Sequence, residues 1–204
     1  MLYINIEGGM RKMARNKEFD EDEVLLKAMR LFWEQGYEKT SINDLVECMG
    51  IHRRSLYDTF GDKHQLFLKA TERYTKFLNM YFQTGINRTD SSKQALSFLF
   101  DFIIEGYEDK PSGCLLVNIA TELAPWDLEV DVKVGESFDR MEQLVADLIQ
   151  SGQENGEFAT TRDANELAEN IHNTMIGLRV LARTSTSREK LHRIADGAMA
   201  MLNV

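Results

Sequence analysis

The chain has 204 residues, 43% apolar and 28% charged, with only two prolines and two cysteines. That composition excludes wholesale disorder and a disulfide-stapled scaffold, and no apolar run approaches the roughly 18 residues a membrane span needs. The net charge of −9 is uneven: residues 10–76 carry 13 basic and 12 acidic side chains, the remainder 11 and 21, so a near-neutral end is joined to an acidic body, which suits a protein that offers one end to a polyanion.

Scarce proline points to an all-helical chain. Basic residues follow the apolar ones at the start, the reverse of a secretory signal, and Cys48 and Cys114 fit a reducing, cytoplasmic compartment. Met10 and Met13 offer alternative starts.

Helical spacing predicts about nine helices. The first runs over 20–35, with Asp20, Glu21, Asp22 and Glu23 in its first turn, where the helix dipole favours anions. Ser41 caps a short second helix, with Asp44 three residues on. Gly50 makes a tight turn into a third, over 52–60, and Asp62 caps a longer fourth. The turn-rich stretch 85–92 breaks the chain before helix five (92–107). Helix six (114–123) is apolar nearly all round and therefore central. Helices seven (127–155), eight (163–183) and nine (187–202) follow.

Two short helices joined by a Gly turn form a helix-turn-helix pattern, whose second helix can enter the DNA major groove. Here that helix begins His52-Arg53-Arg54-Ser55. Arginine can bond guanine bidentately and hydroxyls can reach phosphate. Leu56 and Phe60 lie one turn apart and can seat the helix. Cys48 is expected to pack inside this unit.

The stretch 31–70 resembles the N-terminal domain of TetR/AcrR-type transcriptional repressors. Phe32, Gly36, Tyr37, Thr40, Ser41, Ile42, Gly50, Ile51, Leu56, Tyr57, Phe60 and Lys63 match that family's pattern in order and spacing. Thr59 stands where an aromatic or His is usual, and Val46 where Ala is usual. The resemblance implies an all-α chain with a basic arm (1–18), a helix-turn-helix domain (19–64) and an effector-binding, dimerising domain (65–204). It implies phosphate contacts from Thr40, Ser41, Ser55, Tyr57 and Lys63, and base reading by His52, Arg53 and Arg54. Arg11, Lys12, Arg15 and Lys17 could follow the minor groove. The implied partners are a pseudo-palindromic double-stranded operator, a second copy of the chain and a small effector, with no cofactor, no metal and no membrane.

In the family the last two helices form a bundle with their mates. The expected faces here carry Ala164, Ala168, Ile171 and Met175 on helix eight, and Leu191, Ile194 and Ala198 on helix nine. The effector cavity is expected among Phe77, Phe98, Phe102, Cys114, Asn118, Trp126, Met141, His172 and Met175, a set that suits an apolar or aromatic molecule. Cys114 opens the run SGCLLVN, found in a subset of the family in which some members sense electrophiles or oxidants through that cysteine. Its cationic partner is expected to be Arg183.

Two Glu-x-x-His pairs, Glu169/His172 and Glu189/His192, have the spacing of di-iron bundles. Glu189 and His192 sit among Arg188, Arg193 and Asp196 on a polar face, so a helical metal enzyme is disfavoured. HExxH, GxSxG, GxGxxG and P-loop signatures are absent. A helical adaptor that binds only protein would lack salt-dependent DNA affinity.

Overall fold

The computed structural model describes residues 19–106, 111 and 113–203. Among them the chain forms nine α-helices and no strand. The first four are α1 (Glu21–Gln35), α2 (Ile42–Met49), α3 (Arg53–Phe60) and α4 (Lys63–Ile86). They are followed by α5 (Ser92–Ile104), α6 (Leu115–Glu122), α7 (Leu128–Glu154), α8 (Ala164–Leu181) and α9 (Arg188–Ala200), with 3-10 turns at Ala124–Trp126 and Met201–Asn203. The fifth helix stops before its expected end, and Tyr107 lies outside the described residues.

Most helices begin where a short oxygen-bearing side chain takes free first-turn amides. Asp20, Ser41, Asp62, Ser91, Asp127, Asp163 and Ser187 all do so. Ser41 and Asp44 close a reciprocal capping box, with Asp in place of the usual Glu. α3 and α6 start at His52 and Cys114 without a side-chain cap.

α1, α2 and α3 gather around the start of α4. Phe32, Trp33, Leu45, Leu56, Leu66 and Phe67 are fully buried there, and Phe32 meets Phe67 edge-on at 5.1 Å. The larger body is built on α7 and α8, which pack along each other, with α5, α6 and α9 against them. α4 belongs to both. Its 24 residues span about 36 Å. Leu66 and Phe67 are buried near its start and Leu78 and Phe82 nearer its end, in one apolar cluster that runs through both parts. None of the described helices is long and apolar enough to cross a membrane.

Candidate nucleic-acid interface and inner cavity

The turn between α2 and α3 depends on Gly50. Its φ is +69°, a left-handed conformation open to glycine, and its N–H reaches the carbonyls of Val46 and Glu47. Leu56 and Phe60 are buried and hold α3 down by its inner face. The start of the helix and its outer face are left outward: His52, Arg53 and Arg54 are exposed, Ser55 is half-buried and Tyr57 is exposed. The first turn of α3 carries no acid, so its free N–H groups and positive dipole end stand unopposed. Arg53 Nη2 lies 2.5 Å from Asn43 Oδ1 on α2. Arg54 is 3.5 Å from Asp58 and almost wholly solvated. Lys63 Nζ lies 4.2 Å above the Tyr37 ring. Asn43 was outside the expected set; its signal is its place in the first turn of α2, beside the α3 end.

Two sequence expectations in this region need correction. Thr40 is fully buried; its hydroxyl donates to Gly36 O at 2.6 Å and its N–H to Tyr37 O. It braces the α1–α2 turn and has no hydroxyl to offer a phosphate. Ser41, next to it, is exposed. Cys48 is exposed rather than packed inside. Arg11, Lys12, Arg15 and Lys17 lie outside the described residues.

The body grips the helix-turn-helix unit through carboxylates. Glu122, the last residue of α6, accepts the N–H groups of Tyr37 and Glu38 at 3.1 and 3.0 Å. Gly36 makes room for it: at φ +86° a Cβ there would lie 2.7 Å from Glu122 Oε2. His64 Nε2 is 2.6 Å from Asp127 Oδ2 at the start of α7. Desolvation raises the Asp127 carboxyl, but the Val130 and Glu129 amides and His64 outweigh it and hold the group below its ordinary range. Arg183 Nη2 donates to Glu34 O.

Between α4, α6, α7 and α8 lies a cavity of about 430 Å³. Leu78, Phe82, Leu116, Phe138, Met141 and Leu144 form its apolar wall; Asn79, Gln83, Arg140, His172 and Arg179 are among its polar residues. His172 is buried, with Nδ1 3.4 Å from Glu142 Oε2. A carboxylate can only accept, so Nδ1 carries the proton. The contact has the form of an ion pair, but burial outweighs Glu142 and holds the imidazole below its ordinary pKa, so a neutral ring describes it better.

Of the nine residues expected in a cavity, Met141 and His172 line this one. Phe98 and Phe102 instead build an aromatic seam with Tyr81 and Phe82 that fastens α5 to α4, and Phe77 joins it through Tyr81. Met175 is core. Asn118 lies outside the wall, its Nδ2 buried without a hydrogen-bond partner. Trp126, in a 3-10 turn, is 86% exposed and faces solvent.

Cys114 is buried behind the cavity wall. It receives hydrogen bonds from Arg179 Nη1 at 3.1 Å and Tyr74 Oη at 3.4 Å. Its cationic partner is therefore Arg179, not Arg183, which lies one turn further on and is turned to Glu34. Burial pushes the thiol up; Arg179, Tyr74 and the Val117 and Leu116 amides prevail and hold it below its ordinary value.

Most of the residues expected on the dimer faces pack inside the single chain. Ala168, Ile171, Met175, Leu191 and Ala198 are buried within the single chain, while Ala164 and Ile194 are half-buried. Helical periodicity finds an apolar face, and here that face packs into the chain's own core. The outward ridges of α8 and α9 carry Gly177, Val180 and Gly197.

This arrangement defines a helix-turn-helix DNA-binding protein with a hollow helical body. Residues 24–70 match the family described as bacterial regulatory proteins, tetR family, and residues 92–198 match the tetracyclin repressor-like C-terminal domain. The chain belongs to the TetR family of DNA-binding transcriptional regulators, whose members are not enzymes. It is 32% identical to the HTH-type transcriptional repressor ComR of Escherichia coli over 94% of this chain and 92% of that protein. It is 31% identical to the HTH-type transcriptional regulator YezE of Bacillus subtilis, over 94% and 100%. A cysteine mutant of the TetR-family regulator CifR, solved with 26-bp operator DNA, superposes with a TM-score of 0.82. It is 28% identical, with 93% of this chain and 100% of that chain covered.

Proposed function

We propose that the chain is a homodimeric repressor whose N-terminal domain (19–64) reads a pseudo-palindromic operator and whose body (65–204) releases it when a small effector fills the inner cavity. The observation that carries this reading is the continuity of α4, which begins beside the recognition helix and ends as a wall of the cavity. Arg53, Arg54 and His52 read bases; Ser41, Ser55, Tyr57 and Lys63 hold backbone; the basic arm follows the minor groove. Two half-sites require recognition helices about 34–36 Å apart, and an effector that shifts α4 changes that separation. The dimer seam uses the outward ridges around Gly177, Val180 and Gly197, where small residues permit close helix approach. A reporter driven by the promoter upstream of the chain's own reading frame tests repression. Wild type is expected to lower expression and Arg53→Ala/Arg54→Ala to restore it; equal expression with both argues against a repressor at that promoter.

A second reading, thiol-based sensing, draws on the guanidinium and hydroxyl held against the Cys114 sulfur. A thiolate is the reactive form towards electrophiles. If methylglyoxal releases operator DNA from Cys114→Ser as readily as from wild type, that reading fails.

A further inference from the structure

The cavity wall has an unbalanced charge. It contains Arg140, Arg179 and a neutral His172 but, among the described residues, no Asp or Glu. Arg140 is half exposed, lies 3.7 Å from Glu136 and donates to Ser137 Oγ, so it stands at the rim with partners of its own. His172 is occupied by Glu142. Arg179 differs from both. It is 9% exposed, and no carboxylate pairs with it among the described residues. Among the described residues its hydrogen-bond partner is the Cys114 sulfur, reached through Nη1. Sulfur is a weak acceptor, and one contact leaves the rest of a planar guanidinium's donors to be satisfied. A buried guanidinium whose described hydrogen bonding is one sulfur contact still has donors to offer an anion that enters the cavity.

The space beside Arg179 has the size of a small-molecule site, and it is lined by aliphatic and aromatic side chains together with polar ones such as Asn79, Gln83 and Ser137. From this we infer that the cavity binds an organic carboxylate, with the anionic head group on Arg179 and an apolar body against Leu78, Phe82, Leu116, Phe138, Met141 and Leu144. The inference rests on reading the cavity as the effector site and adds the chemical class of the effector. A carboxylate fits the guanidinium fork with paired, charge-assisted hydrogen bonds. An uncharged analogue leaves Arg179 as it is and gains the apolar contacts only. A cationic ligand would meet like charge.

Binding also has a consequence inside the protein. Arg179 holds the sulfur of the residue that begins α6, and α6 ends in the Glu122 carboxylate that caps the Tyr37 and Glu38 amides. A ligand that draws the guanidinium towards the cavity acts on the helix fastened to the DNA-binding unit.

The test uses the full chain and matched probes. Hexanoate, decanoate and phenylacetate are each compared with their own amides by calorimetry near neutral pH, on wild type, Arg179→Gln and Arg179→Lys. At least one acid is expected to bind about ten-fold or more tightly than its amide. Arg179→Gln is expected to erase that preference, and Arg179→Lys to retain part of it. The acid–amide comparison on wild type stands even if a variant fails to fold. Equal binding of acid and amide overturns the inference, as does an acid preference that survives Arg179→Gln. Absence of binding by every acid overturns it too. Release of operator DNA by a neutral or cationic compound in that event would leave the effector reading in place and remove only the carboxylate.

Discussion

Arg53 is a base-reading candidate whose geometry is restrained before DNA arrives, because Asn43 holds its guanidinium. Arg53→Ala is expected to cost about 1–3 kcal/mol, concentrated at one base position, whereas Lys63→Ala weakens all sequences alike and lowers the salt slope by about one. Titration against single-base operator variants separates the two. Asn43→Ala should relax specificity at the position Arg53 reads and be non-additive with Arg53→Ala; strict additivity would mean that Asn43 does not orient it. The basic start of α3 was legible in the sequence because Leu56 and Phe60 fix which face is buried. Arg179 was harder to see. It continues the stripe Ala168, His172, Met175 at helical spacing, but an arginine near a helix end is ordinarily solvated. Trp126 misled for the opposite reason: its size suggests burial, yet the 3-10 turn that contains Pro125 carries it outward.

Helix starts were legible to within a residue or two because the caps are short polar side chains with few alternative uses. The links between elements were not, since a carboxylate on α6 that caps amides 84 and 85 residues earlier leaves no local pattern. Glu122→Ala orphans two amides and should lower stability by about 1–2 kcal/mol, a fall in the unfolding midpoint of about 2–8 °C by calorimetry. An unchanged midpoint would show that water replaces the carboxylate without loss. Glu157 makes a similar cap on α5, accepting from Lys93 and Ser92 N–H. These bonds, the Lys93 amide foremost, hold its carboxyl below the ordinary range. A depressed folded-state pKa stabilises above the unfolded value and is lost as pH falls through the folded one. Wild type should therefore lose stability on the acid side of about pH 4, and Glu157→Gln should flatten that part of the curve. Parallel curves would assign the acid sensitivity elsewhere.

The all-helical class followed from two prolines and from periodicity; the lining of the cavity did not, because four helices distant in sequence enclose it, and of the expected set Met141 and His172 reach it. Five of the seven residues expected at the dimer seam pack inside the single chain, since an apolar stripe does not say whether the chain or its mate buries it. Val180 is 49% exposed on the ridge proposed to meet the mate. Val180→Glu should yield monomers by light scattering and reduce operator affinity; an intact dimer would move the seam elsewhere. Most direct is a titration of wild type and Arg53→Ala/Arg54→Ala with the upstream intergenic DNA across a range of salt, in excess competitor DNA. Recognition through α3 predicts specific binding that weakens steeply with salt and disappears in the double variant. Specific binding that survives in the double variant, or that ignores salt, would contradict it.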